Sequence, residues 1–118
     1  GSDMARMRAA QAEKVSLEYK AGDLKQQIRN EVAQAWRQLA ESRMRYASES
    51  EAMNQSEESL RLKSLRYEQG LTKTSDLLDA QVQADSVRVA TIRAKYDVSV
   101  AEAALLLAIG GLNEEVIQ

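Results

Sequence analysis

Apolar residues recur at steps of three and four along most of the chain, with polar residues filling the positions between. That spacing places them on one face of an α-helix. The pattern is sharpest in the second half, where one seam runs Leu77, Ala80, Ala84, Val87, Thr91, Ala94, Val98, Ala101, Leu105 and Ala108. The steps alternate three and four without a fault, the heptad repeat of left-handed coiled-coil packing. Most of these residues are small, which lets helices approach closely. A second seam runs Leu78, Val82, Asp85, Val89, Ile92, Tyr96, Ser99, Ala103 and Leu106, with polar interruptions at Asp85 and Ser99. At ~100° per residue the two seams lie about 150° apart. Polar strips separate them: Gln81, Arg88, Lys95 and Glu102 on one side, Asp79, Gln83, Ser86, Arg93 and Asp97 on the other. A helix with two nearly opposite seams has neighbours on both sides, as in a wall or barrel of helices. A broad apolar arc inside an ordinary bundle fits the same periodicity.

The first half carries a looser pattern. Leu17, Ala21, Leu24, Ile28, Val32, Ala35 and Leu39 keep one face through Gly22, so the helix is expected to continue past that glycine. A weaker set, Ala12, Val15, Tyr19, Ala33, Trp36 and Ala40, makes it apolar on more than one side. From Ser48 to Ser59 only Ala52 and Met53 are apolar. This stretch reads as a solvated helix surface with a narrow seam through Tyr46, Met53 and Leu60.

One break interrupts the helical pattern. Gly70 is the only glycine between Asp23 and Ile109, and the chain has no proline. Glycine suits a helix end in the left-handed conformation. Thr72, Thr74 and Ser75 follow, the residue types that cap a new helix. The expected elements are a helix over 5–69, a turn over 70–72, a helix over 73–109 and a tail over 110–118 that begins at Gly110-Gly111. Residues 1–4, Gly-Ser-Asp-Met, read as an expression scar. The fold class is all-α: an elongated antiparallel helical hairpin or coiled coil, with a long first helix and a shorter second one. Roughly 65 residues at ~1.5 Å each would make the first helix ~97 Å long. Its N-terminal half then has no partner within the chain, and something else must cover Val15, Leu17, Tyr19, Leu24 and Ile28.

Composition narrows the function. The 118 residues contain no Cys, His, Pro or Phe, and aromatics make up 4%. Such a chain lacks the bulk for a rounded core and suits long helices. A formal net charge of −2 leaves no dominant basic face for nucleic acid. The longest apolar run, Ala103 to Ile109, is too short to span a bilayer. Asp76 and Asp79 lie near a helix start, where carboxylates favour the helix dipole. Glu57 and Arg61 have the spacing of an i,i+4 ion pair. Glu49, Glu51, Glu57 and Glu58 lack the converging loops of a hard-ion cage. Trp36 reads as seam packing. With no nucleophile beside a base, no phosphate loop and no metal cluster, the sequence points to no enzyme and no cofactor.

Several segments occur in a telling order. They are Tyr67-Glu68-Gln69-Gly70-Leu71-Thr72, Asp76-Leu77-Leu78-Asp79-Ala80-Gln81, Ala94-Lys95-Tyr96-Asp97 and Ala108-Ile109-Gly110-Gly111-Leu112-Asn113, with Asn30-Glu31-Val32-Ala33-Gln34-Ala35-Trp36 upstream. The set resembles the second helical repeat of the TolC-like outer membrane efflux proteins. That resemblance implies a passive export conduit in the outer membrane of a Gram-negative bacterium, with this segment in the periplasm. It implies a homotrimer that works with a periplasmic membrane-fusion adaptor and an inner-membrane transporter. It places the Gly70 turn at the periplasmic entrance, with Tyr67, Gly70, Leu71, Thr72 and Lys73 as the adaptor contact. Lys73 stands where many relatives carry a capping Ser or Thr, so Thr72 or Thr74 is expected to cap instead. Two other readings fit the periodicity: a coiled-coil structural or interaction protein, and the hairpin of a periplasmic adaptor.

Overall fold

The computed structural model describes residues 1–117, and the described chain is two α-helices. Helix α1 spans Ser2–Glu68 and α2 spans Thr74–Ile117. The fold class is the antiparallel helical hairpin expected from the pattern. Contacts divide the chain into two compact units, one of Gly1–Trp36 with the chain from Ala104 onward, the other of Arg37–Ala103.

The Arg37–Ala103 unit holds the turn and the hairpin proper. On α2, Ala80, Ala84, Thr91, Ala94 and Ala101 are buried, while Leu77, Val87 and Val98 are half-buried. Ala84 has no exposed surface at all. A fully buried leucine contributes about 2 kcal/mol and a buried methyl about 0.8 kcal/mol. This alanine-rich seam therefore stabilises through close approach of the helices more than through bulk. The facing stripe on α1 is Leu39, Ser42, Tyr46, Glu49, Met53, Ser56, Leu60 and Lys63, all buried or half-buried. Tyr46, Met53 and Leu60 were the apolar members legible in the sequence. Ser42, Glu49, Ser56 and Lys63 complete the heptad between them, so the polar stretch contributes to packing as well as to the solvated surface.

The polar groups in this stripe are satisfied locally. Ser42 donates to the Leu39 carbonyl at 2.9 Å and Ser56 to the Met53 carbonyl at 3.0 Å. The Thr91 hydroxyl lies 2.8 Å from the Val87 carbonyl and 3.0 Å from the Glu49 carbonyl on the other helix. Two ion pairs also cross the hairpin, Arg43 to Glu102 at 3.6 Å and Arg88 to Glu57 at 3.5 Å. Both are about half exposed, so each is worth at most ~1 kcal/mol. They fix register more than they add stability.

The expected Glu57–Arg61 pair is not the one formed. Arg61 instead grips Glu58 in two hydrogen bonds of 2.7 and 3.0 Å, and Glu57 turns to Arg88. Glu57 follows the inward Ser56 and sits on the flank nearest α2, which brings it within reach of the opposite helix. Glu58 lies farther round, on the same outer surface as Arg61.

In the other unit, α1 continues through Gly22 without a break. Ala35 and Leu105 are buried, and Ile28 and Val32 are half-buried. Met4, Met7, Val15, Leu17, Tyr19 and Leu24 are exposed. The second helix does not end at Gly110-Gly111, as its sequence suggested, but runs on to Ile117. A helical glycine costs about 1 kcal/mol relative to alanine, which neighbouring helical residues can outweigh. Neither glycine adopts the left-handed φ that would end the helix. Gln118, the last residue of the expected tail, lies outside the described residues.

Candidate functional site: the hairpin turn and the outer face of helix α2

The turn is built by the end of α1. Gly70 has φ of +71°, the one positive φ among the described residues. Its N–H donates to the Tyr67 carbonyl at 3.0 Å, and the Leu71 N–H donates to the Arg66 carbonyl at 2.8 Å. Those two bonds make a Schellman motif, which satisfies carbonyls that the helix end would leave free. A Cβ on residue 70 would meet nothing within 4 Å, so the need for glycine is conformational, not steric.

The start of α2 departs from the expected capping. Lys73 occupies the N-cap position, where its carbonyl accepts from the Leu77 N–H at 3.2 Å. Its ammonium side chain has only donors and cannot accept from the free N–H groups. Neither Thr72 nor Thr74 takes over that task. The Thr74 hydroxyl donates across the turn to the Tyr67 hydroxyl at 3.4 Å, a long bond. Asp76 in the first turn supplies the negative charge that the helix dipole favours.

The five expected contact residues fall together around this turn. Leu71 is 70% exposed, Tyr67 and Lys73 are exposed, and Thr72 is half-buried. The tip thus presents an apolar side chain, a phenol and an ammonium to its surroundings. Just behind it, Ser56, Ser59, Lys63, Asp79, Ala80 and Gln83 line a polar depression between the helices. No group of acidic residues among those described is placed to hold a metal.

A second surface lies on α2. Leu78, Val82, Val89, Ile92 and Tyr96 are between 56% and 68% exposed. They belong to the second seam of the helix, opposite the seam that packs on α1. The two seams together raise the apolar content of α2. A window of 18 residues within Thr74–Glu114 reaches a mean hydropathy of 1.2, long and apolar enough by length and composition to cross a membrane. Counting consecutive apolar residues missed this, because seams and scattered alanines raise an average without making a run. Only 6% of that window is buried.

Glu58 and Arg61 shift each other from their ordinary values. The hydrogen bonds from Arg61 hold the Glu58 carboxyl below its ordinary range, and the same contact raises Arg61. Both are at the surface, and Glu58 lines an open depression on α1 together with Glu51, Asn54, Leu62, Lys63 and Arg66. Among the described residues the turn and the outer face of α2 offer contact surfaces.

Neither a curated protein nor a solved structure matches the chain. The model of one family does, over residues 1–111, under the description outer membrane efflux protein. The chain therefore belongs to the outer membrane efflux protein family, a family of channels and transport proteins and not of enzymes.

Proposed function

We propose that the hairpin is a wall segment of a periplasmic export tunnel, with its turn as the docking tip. The observation that carries this reading is that α2 bears two apolar seams and only one of them is packed. One seam is taken up by α1, while an equally regular seam stands exposed from Leu78 to Tyr96. A helix built this way belongs between two neighbours, as it would in a closed ring of helices. The exposed Val15, Leu17, Tyr19 and Leu24 on α1 support the same reading, since they too call for a covering helix.

In this reading the full-length protein is a homotrimer in the outer membrane. Its conduit is passive, and an inner-membrane transporter supplies the energy. Tyr67, Gly70, Leu71, Thr72 and Lys73 meet a periplasmic membrane-fusion adaptor. Gly70 permits the turn, Leu71 offers the apolar contact, and Lys73 adds a positive charge at the docking surface. The test is made in the full-length protein. Gly70→Asp and Leu71→Asp are each expected to abolish export while trimers remain in the membrane. Export at the normal rate by either variant would sink the docking role.

A further inference from the structure

We propose that the helix covering the exposed α2 seam carries a fixed order of charge, a basic band beside the turn and an acidic band above it. This names the chemistry of the neighbour, and it rests on the tunnel reading. Charge is laid out in bands along the hairpin. From Arg43 to Arg66, α1 carries Arg43 and Arg45, then Glu49, Glu51, Glu57 and Glu58, then Arg61, Lys63 and Arg66. From Asp76 to Glu102, α2 carries Asp76, Asp79 and Asp85, then Arg88, Arg93 and Lys95, then Asp97 and Glu102. No charge of the opposite sign falls inside any band. The turn sets each band opposite its complement. Lys63 and Asp79 line one depression near the turn, Glu57 pairs with Arg88 in the middle, and Arg43 pairs with Glu102 above. Helix α1 therefore shows what complements α2.

The outer seam from Leu78 to Tyr96 runs between charges of the same order. Asp79 and Asp85 stand beside its turn end, and Arg93 and Lys95 beside its far end. All four are exposed. Asp85 is held by Arg88, but among the described residues Asp79, Arg93 and Lys95 make no ion pair. The two groups are centred about 12 residues apart, or ~18 Å along the helix. That exceeds the Debye length of about 10 Å at 0.1 M salt, so a neighbour meets two separate fields and not their average. A covering helix of the reverse order would set carboxylates against Asp79 and cations against Arg93 and Lys95. Like-charge contacts of that kind exclude wrong partners. The order is fixed from the turn outward, whichever way the covering chain runs.

Two synthetic helical peptides test this by fluorescence anisotropy. Both carry the same leucine and alanine seam, long enough to span Leu78 to Tyr96, and the same numbers of lysine and glutamate. In one the lysines fill one half and the glutamates the other; in the second they alternate. The chain has no cysteine, so Ser75→Cys takes a single dye, and energy transfer to a dye on the lysine end of the banded peptide reads its direction. The banded peptide is expected to bind about tenfold tighter than the alternating one, with its lysine end at the turn. Arg93→Glu combined with Lys95→Glu should remove that preference. Val89→Glu, at an exposed position, should abolish binding of both peptides with helical circular dichroism unchanged. Equal affinities, or a lysine end far from the turn, overturn the charge order and leave the covered seam standing. Binding that survives Val89→Glu lies elsewhere and overturns it as well. If neither peptide binds, the seam takes no helix, and the tunnel reading falls with the proposal.

Discussion

The Thr91 hydroxyl of α2 lies 3.0 Å from the Glu49 carbonyl of α1. A side chain as short as threonine reaches another helix's backbone only where the two helices run close. The neighbouring alanines make that possible: Ala84 and Ala94 are buried on the same stripe as Thr91. The contact also fixes register, because a slip of the hairpin would carry the hydroxyl away from its acceptor. Replacing Thr91 by Val keeps the shape and removes the donor. The expected loss is about 1 kcal/mol of unfolding free energy in urea, the net worth of a typical hydrogen bond. Thr91→Ser should retain most of the stability.

Ala84 tests the closeness itself. It has no exposed surface, so any larger side chain must push the helices apart. Ala84→Leu is expected to destabilise the hairpin by about 1–3 kcal/mol through overpacking, despite its greater apolar area. The same change at exposed Gln83 should be nearly neutral. Equal effects at the two sites in thermal melts would show that the stripe is looser than described.

At Gly70 the strain would be purely in the backbone. With φ at +71° and open space where a Cβ would stand, Gly70→Ala should cost about 1–2 kcal/mol without any clash. Gly70→Asn should cost less, since asparagine tolerates this conformation. Denaturant midpoints of the three chains give the order Gly, Asn, Ala.

The Glu58–Arg61 pair predicts a pH effect of definite sign. A carboxyl held low in the folded state adds stability above its ordinary value, and that stability disappears as pH falls through its folded value. The effect is therefore confined to acid and absent at neutral pH. Carbon-detected NMR titration should place the Glu58 midpoint below the ordinary glutamate range. Arg61→Gln should bring it back, because the hydrogen bonds from Arg61 are the main cause.

The sequence by itself determined that this chain is two helices joined at Gly70. A heptad pattern needs only local spacing, and a left-handed glycine between two such patterns leaves few alternatives to a hairpin. It also held both seams of α2 in plain view. Which seam α1 takes was decided by tertiary structure, because heptad spacing is equally regular on both. Packing favours the alanine-rich seam, where backbones come close enough for Thr91 to bridge them. Tertiary structure likewise decided how α1 crosses its polar stretch. Ser42, Glu49, Ser56 and Lys63 carry no hydrophobic signal, yet Ser42 is buried and the others half-buried because the helix around them is already docked. The partner of Glu57 and the helical state of Gly110-Gly111 follow the same logic. Each depends on what lies across the hairpin or along a helix already formed, and local spacing does not encode that.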